Sequence, residues 1–84
     1  HLAVALRYEP GMHAPNVIAK GAGHHAKRII EIARRHGVPV FERKPLAQAL
    51  FKLVKVDREI PLALYLVVAE LLAHVYQLRN ARSA

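Results

Sequence analysis

The side chains that could take part in chemistry are mainly histidines. The chain has six histidines and no cysteine. The histidines occupy positions 1, 13, 24, 25, 36 and 74. None are four residues apart, the spacing at which two helical histidines bind zinc, so we expect no metal site and no cofactor. The adjacent pair His24 and His25 would point to different faces of a helix, which favours solvated side chains over metal binding or pH sensing.

Nucleophilic side chains are nearly absent. Threonine and cysteine are missing, and the one serine is Ser83, close to the C-terminal end of the sequence. A serine nucleophile needs an adjacent base, and no histidine is near Ser83 in the sequence. We therefore expect no catalytic turnover from this chain.

The chain is strongly basic, with a formal net charge of +7. Residues 24–36 show apolar positions at the spacing of one helical face, and the opposite face is mostly basic. That basic face consists of Lys27, Arg28, Arg34 and Arg35, with Glu31 between them. Such a face is usually only solvated, although this net charge favours acidic partners.

A small basic nucleic-acid-binding domain is the alternative function that this charge leaves open. Binding of single strands would also require exposed aromatic side chains among the basic residues. The aromatic residues Phe41, Phe51, Tyr65 and Tyr76 instead lie in apolar runs, which predicts packing in the core. We therefore expect no nucleic-acid partner.

Hydrophobic patterning predicts a single α/β domain over residues 1–79, followed by a frayed tail at 80–84. Strands are predicted at 2–6, 17–19 and 38–41, from short apolar runs bounded by Pro and Gly. Helices are predicted at 24–36, from Pro45 to about residue 55, and from Pro61 to about residue 79. The resulting fold is a small mixed β-sheet flanked by helices. The last helix is apolar on nearly all sides but is interrupted by Glu70 and His74, which favours a heavily buried helix over a membrane span.

Ordered blocks of sequence carry a resemblance to one family. The first blocks are His1-Leu2-Ala3-Val4-Ala5-Leu6-Arg7-Tyr8, Ala14-Pro15-Asn16-Val17-Ile18-Ala19-Lys20-Gly21, and His36-Gly37-Val38-Pro39 followed by Glu42. The later blocks are Leu46-Ala47-Gln48-Ala49-Leu50, Ile60-Pro61, Tyr65, Val68-Ala69-Glu70, Leu72-Ala73 and Val75-Tyr76. Together they resemble the C-terminal cytosolic domain of the FlhB family and its injectisome relatives, over nearly the whole chain.

The resemblance implies a self-cleaving parent protein. In that family a membrane domain precedes the cytosolic domain, and the chain breaks once between Asn and Pro of an Asn-Pro-Thr-His motif. His1 resembles the histidine of that motif, which tunes proton transfer during cleavage. The other three motif residues are not in this sequence, which fits a cleavage product shortened by two residues, a recombinant piece, or a stand-alone paralogue.

The resemblance also implies a function and a location. The domain would switch the substrate specificity of a type III export gate at the cytoplasmic face of the bacterial inner membrane, reaching the membrane only through the parent protein. Its partners would be the N-terminal cleavage fragment, other gate proteins, and export substrates of the rod, hook or needle type. The N-terminal fragment would complete the sheet beside residues 2–8.

Finally, the resemblance implies a substrate site. In the family, an apolar pocket is proposed to receive a short hydrophobic signal of export substrates, and by motif it would consist of Ala14, Pro15, Ala69 and Leu72. Residues 69 and 72 share one helical face at i, i+3. Ordinary packing of the last helix against the Ala14-Pro15 loop is the alternative, because apolar clusters in small proteins are usually core.

Overall fold

The computed structural model describes the backbone of residues 1–83 and the side chains of residues 1–77. Within these residues the chain forms three strands and three helices. In chain order they are β1 (Leu2–Arg7), β2 (Asn16–Ala22), α1 (His24–Arg35), α2 (Lys44–Leu53), β3 (Arg58–Glu59) and α3 (Leu62–Ser83). The predicted α/β domain with a small sheet and three helices is confirmed.

The sheet has the order β1-β2-β3, and both pairs of neighbouring strands are antiparallel. The predicted sheet was mixed, whereas the strand pairs within the described residues are antiparallel. Strands β1 and β2 pair from Leu2 opposite Ala22 to Arg7 opposite Asn16, with a register shift between Ala5 and Leu6. Because β2 lies in the middle, β1 occupies one edge of the sheet over its full length.

The third predicted strand was wrong. Residues 38–41 form neither strand nor helix, and the third strand is the two-residue β3. Two backbone hydrogen bonds hold β3 against β2: Asp57 N–H donates to the Val17 carbonyl at 2.6 Å, and Ile60 N–H donates to the Pro15 carbonyl at 2.9 Å. The strand-like composition of 38–41 is a local preference, whereas strand formation requires a partner strand.

The helices begin and end at recognisable residues. After α1, Gly37 adopts a φ of 70°, and the Val38 N–H donates to the Ala33 carbonyl at 2.8 Å, which satisfies a terminal carbonyl of the helix. Pro45 lies in the first turn of α2, where its missing N–H costs no helical hydrogen bond. The helix predicted from Pro45 therefore begins one residue earlier, and it ends at Leu53.

An apolar core lies between the sheet, α2 and α3. Its centre is formed by Val17 on β2 and Val68 on α3, which are 0% and 1% exposed. The other buried members of this cluster are Ala14, Leu50, Val54 and Ile60. The core therefore joins the segment before β2 to the middle of α3.

The prediction that α3 is heavily buried was wrong. Leu62 and Leu66 near its start are 85% and 75% exposed. Among the α3 side chains that the structure describes, the face that includes Tyr65, Val68 and Leu72 packs on the core. A helix that packs through one face leaves the apolar residues of its other faces exposed.

Two further predictions concern the same helix. In the described part of the chain, no helix has the length and apolar content needed to cross a membrane. The helical backbone continues to Ser83, and Ala84 lies outside the described residues. The proposed division into a domain at 1–79 and a tail at 80–84 remains a prediction.

Candidate functional site

A small apolar slot lies between α3 and the two ends of the connection between β1 and β2. Its volume is about 190 Å³. The lining residues are Tyr8, Pro15, Tyr65, Ala69, Leu72, Ala73 and Tyr76. All of their side chains present carbon surface to the slot, and three of them also carry a phenol hydroxyl. We refer to these seven residues as the α3 slot.

The floor of the α3 slot comes from the segment before β2. Pro15 is among the largest fully buried side chains of the described part of the chain. Its carbonyl accepts the Ile60 hydrogen bond, so the start of β2 and the end of β3 fix its position together. Tyr8 reaches the slot from the other end of the connection, directly after β1. The connection itself turns at Gly11, where φ is 95°.

The wall of the slot is one face of α3. Five of the lining residues lie on this helix, at positions i, i+4, i+7, i+8 and i+11 counted from Tyr65. This spacing places them on one side of a helix with 3.6 residues per turn. Ala69 and Ala73 are small, so they leave space between the larger side chains of Tyr65, Leu72 and Tyr76.

The structure brings three of the four predicted pocket residues together. Pro15, Ala69 and Leu72 all line the α3 slot. Ala14 does not line it and is instead a buried member of the core cluster. Leu72 contacts both the slot and the core, since it also packs against the core cluster.

Sequence reasoning missed Tyr8, Ala73 and the two tyrosines of α3 as lining residues. The spacing Tyr65, Ala69, Leu72, Tyr76 repeats one helical face and could have identified the tyrosines. The predicted place of Tyr76 in the core is wrong, because its side chain is 39% exposed. No local signal marks Tyr8, because its contact with α3 depends on how the connection after β1 is folded.

The remaining predicted core aromatics are half-buried and make specific contacts. The Phe41 ring meets the His74 ring edge-to-face, with centroids 5.8 Å apart, which joins the connection between α1 and α2 to α3. The Phe51 ring lies beneath the Lys20 ammonium, 5.1 Å from the ring centroid. These contacts join neighbouring elements of the fold, and neither Phe41 nor Phe51 lines the α3 slot.

The histidines lie at the surface rather than in a cluster. His1 is exposed, and its carbonyl accepts a hydrogen bond from Gly23 N–H at 3.0 Å, which ties the start of β1 to the start of α1. His24 and His25 are also exposed, as predicted for solvated side chains. Their rings contact each other, with centroids 4.1 Å apart, so the prediction that they point to different faces was wrong. Among the described residues, no three His, Asp or Glu side chains come together that could hold a metal ion.

The four basic residues predicted on α1 are all exposed, whereas Ala26 on the same helix is fully buried. Arg28 and Arg35 lie opposite Ala26, and Lys27 and Arg34 lie on one flank of the helix. Glu31 forms ion pairs with Arg28 at 3.6 Å and with Arg35 at 3.2 Å. Lys27 and Arg34 lie on the other flank of Glu31 and line a shallow groove with Ile30. The basic face is therefore divided into a flank paired with Glu31 and a second flank.

Sequence comparison with known proteins finds relatives of this chain in one family. The chain matches the family model "FlhB HrpN YscU SpaS Family" over residues 1–75. It is 54% identical over 81 residues to the flagellar biosynthetic protein FlhB of Yersinia enterocolitica, covering 95% of this chain and 21% of that protein. It is 49% identical to the FlhB of Salmonella typhimurium, covering 100% of this chain and 22% of that protein. The chain thus spans about a fifth of the length of these relatives.

Solved structures of the family share the fold. The cytoplasmic domain of FlhB from Shewanella putrefaciens superposes with a TM-score of 0.91 at 40% identity, over 99% of this chain and 69% of that one. The C-terminal domain of PscU superposes with a TM-score of 0.85 at 38% identity, over 89% of this chain and 96% of that one. These matches confirm the resemblance that the ordered sequence blocks predicted. The chain belongs to the FlhB HrpN YscU SpaS family, as a domain similar to its C-terminal cytoplasmic domains.

Proposed function

We propose that this chain is the substrate-docking and specificity-switching domain of a type III protein export gate, and that the α3 slot receives a short apolar signal of export substrates. The observation that carries this proposal is the meeting of Pro15, Ala69 and Leu72 at one apolar slot. We also propose that the chain itself performs no catalytic turnover. The relatives named above are flagellar proteins, which favours a flagellar export gate and substrates of the rod or hook type.

The size of the α3 slot supports a short signal. Its volume of about 190 Å³ is smaller than the 300–1,000 Å³ typical of sites for drug-sized ligands. It has room for one or two apolar side chains rather than a folded surface. Anchoring by few side chains gives modest affinity, because the ordering of a flexible segment opposes binding. Modest affinity suits a gate that must release each substrate after docking.

The slot can be tested with two alanines of the same helix. Ala69 lines the slot, whereas Ala63 is exposed and lies outside it, six residues earlier on α3. We expect Ala69→Asp to weaken binding of a fluorescent peptide from the N-terminal region of a hook or rod subunit by more than about tenfold, because a carboxylate in an apolar site costs at least about 1.4 kcal/mol. Ala63→Asp adds the same charge and should leave the affinity unchanged.

The two variants also separate binding from folding. Circular dichroism and the thermal midpoint report whether Ala69→Asp still folds. If it does not, Ala73→Leu is the second variant, because Ala73 is exposed and a larger apolar side chain there fills the slot without burying a charge. Equal peptide binding by wild type, Ala69→Asp and Ala73→Leu would show that the slot is only a gap in packing.

We propose further that the parent protein cleaves itself once, between the Asn and Pro of an Asn-Pro-Thr segment directly before His1. His1 is exposed at the start of β1, where a preceding loop would be open to rearrangement. Intact mass spectrometry of the longer gene product should show two fragments without added protease. Replacement of that Asn by Ala should give one uncleaved mass, and an uncleaved wild-type product would contradict this part of the proposal.

The proposed setting is the cytoplasmic face of the bacterial inner membrane, reached through the membrane domain of the parent protein. The proposed partners are the N-terminal cleavage fragment, other gate proteins and the export substrates. The outer edge of β1 supports the first of these, because it can pair with one further strand.

A further inference from the structure

The second flank of the basic face on α1 forms a groove that the proposed function does not use. Its volume is about 380 Å³, and it is lined by Lys27, Ile30, Glu31 and Arg34. It lies on a different element from the α3 slot, and the two share no lining residue. We refer to these four residues as the α1 groove.

The charges of the α1 groove are unevenly balanced. Glu31 is the acidic member, and its carboxylate is shared by Arg28 and Arg35, which lie outside the groove. Among the side chains that the structure describes, Lys27 and Arg34 form no ion pair. The groove therefore presents two available cations, while its one carboxylate is already neutralised from the opposite side.

The spacing of Lys27 and Arg34 matches the spacing of side chains on one face of a second helix. Lys27 and Arg34 are seven residues apart, which is about two turns, so they lie on one side of α1 and about 10.5 Å apart along its axis. Ile30 lies between them and supplies an apolar floor that is half-buried. A second helix lying along the groove can place two acidic residues at i and i+7 and an apolar residue at i+4 against these three positions.

Two other acidic partners fit less well. In an extended peptide, side chains on one face recur at about 6.7 and 13 Å, so two carboxylates do not match a separation of about 10.5 Å. A lipid surface is flat and would meet the outer side of the helix, where Arg28 and Arg35 are paired with Glu31, before it reached Ile30. We propose that the α1 groove docks an acidic amphipathic helix of a partner protein, with acidic residues at i and i+7 flanking an apolar residue.

The test uses a defined peptide. A fluorescent alanine-based helix of roughly 15 residues carries Glu at i and i+7 and Leu at i+4, a length at which such helices begin to be stable. Its register control has the same composition, with one Glu moved by two positions to another face. Fluorescence anisotropy at low salt should show binding of the first peptide and weaker binding of the control, by up to about fivefold, since an exposed ion pair contributes up to about fivefold.

Two double variants of the 84-residue chain separate the groove from the overall charge. Lys27→Gln with Arg34→Gln removes both groove cations and should weaken binding by up to about 25-fold, fivefold for each ion pair. Lys52→Gln with Lys55→Gln removes the same amount of charge at exposed positions outside α1 and leaves Glu31 paired with Arg28 and Arg35, so it should change the affinity by less than about threefold. All four residues are exposed, so circular dichroism should report unchanged helix content for both variants.

Four results would overturn the inference. They are equal loss of binding in both double variants, equal binding of the two peptides, no binding of the first peptide at low salt, and tighter binding to vesicles containing phosphatidylglycerol or to single-stranded poly-dT. The first two would show that binding depends on the net charge of the chain and not on the α1 groove. The last would assign the basic face to a membrane or to nucleic acid. None of these results affects the α3 slot, so failure of this inference is distinguishable from failure of the proposed function.

Discussion

Lys20 on β2 forms hydrogen bonds to the end of α2, which hold these two elements together in addition to their contacts in the core. Its ammonium donates hydrogen bonds to the carbonyls of Phe51 and Val54, both at 2.8 Å. These carbonyls lie at the C-terminal end of α2, where helical hydrogen bonds run out and the helix dipole is negative. The same ammonium lies 5.1 Å from the centroid of the Phe51 ring. A single cation on β2 thus caps α2 and fixes it to the sheet.

Replacement of Lys20 by Met keeps most of the aliphatic stem and removes the cation. A hydrogen bond to a charged group contributes about 1.5–3 kcal/mol, and here two carbonyls lose their donor. The two bonds share one ammonium, so we expect a total loss of about 3 kcal/mol in the free energy of unfolding. For a domain of this size, 1 kcal/mol corresponds to about 4–8 °C, so the thermal midpoint should fall by about 12–24 °C.

The matched control is Lys27→Met, which removes the same charge from an exposed position on α1. It should change the free energy of unfolding by less than about 0.5 kcal/mol, as is usual for surface substitutions. Urea denaturation of both variants, followed by circular dichroism, gives the comparison. If Lys20→Met and Lys27→Met are equally stable, water replaces the ammonium at the end of α2, and the capping argument fails.

Two further predictions concern packing. Leu50→Ala should lower the free energy of unfolding by about 2–5 kcal/mol in urea denaturation, because Leu50 is in the core, whereas Leu62→Ala on the exposed start of α3 should cost less than about 0.5 kcal/mol. Gly21→Ala should cost about 1–3 kcal/mol in the same assay, because the new Cβ would lie 2.8 Å from the Cβ of His25 and 3.0 Å from its carbonyl carbon. Unchanged stability of Gly21→Ala would mean that α1 moves freely against β2.

Local sequence signals were sufficient to predict the positions of the helices. The apolar spacing and Gly37 placed α1 at 24–36, and the structure has His24–Arg35. Pro45 and Pro61 marked the starts of α2 and α3 to within one residue. These signals act within one or two turns, so the sequence of the segment itself contains them. The first two strands were predicted for the same reason, although their ends extended further.

Signals that depend on distant residues were not available from the sequence. Arg58 and Glu59 have no strand-like pattern, and they pair with β2 because Asp57 adopts a φ of 69° and its N–H reaches Val17. The exposed side of α3 was likewise unpredictable, because its apolar residues surround the helix and only the folded chain shows which of them meet the core cluster. The pocket residues Pro15, Ala69 and Leu72 were named from a family resemblance rather than from spacing. Tyr8 and Ala73 required the folded structure.

The two edges of the sheet differ in a way that bears on the proposed cleavage fragment. At one edge β3 has two residues, both charged and exposed, which is a common means of preventing further strand pairing. At the other edge β1 has six residues, and those at 2–6 are uncharged. An apolar edge strand of this length is an aggregation hazard unless something covers it. This asymmetry is consistent with the proposal that a strand of the cleavage fragment covers β1. A fragment held there through backbone pairing would remain bound after the chain is cut, so cleavage would alter the loop before His1 without dismantling the domain.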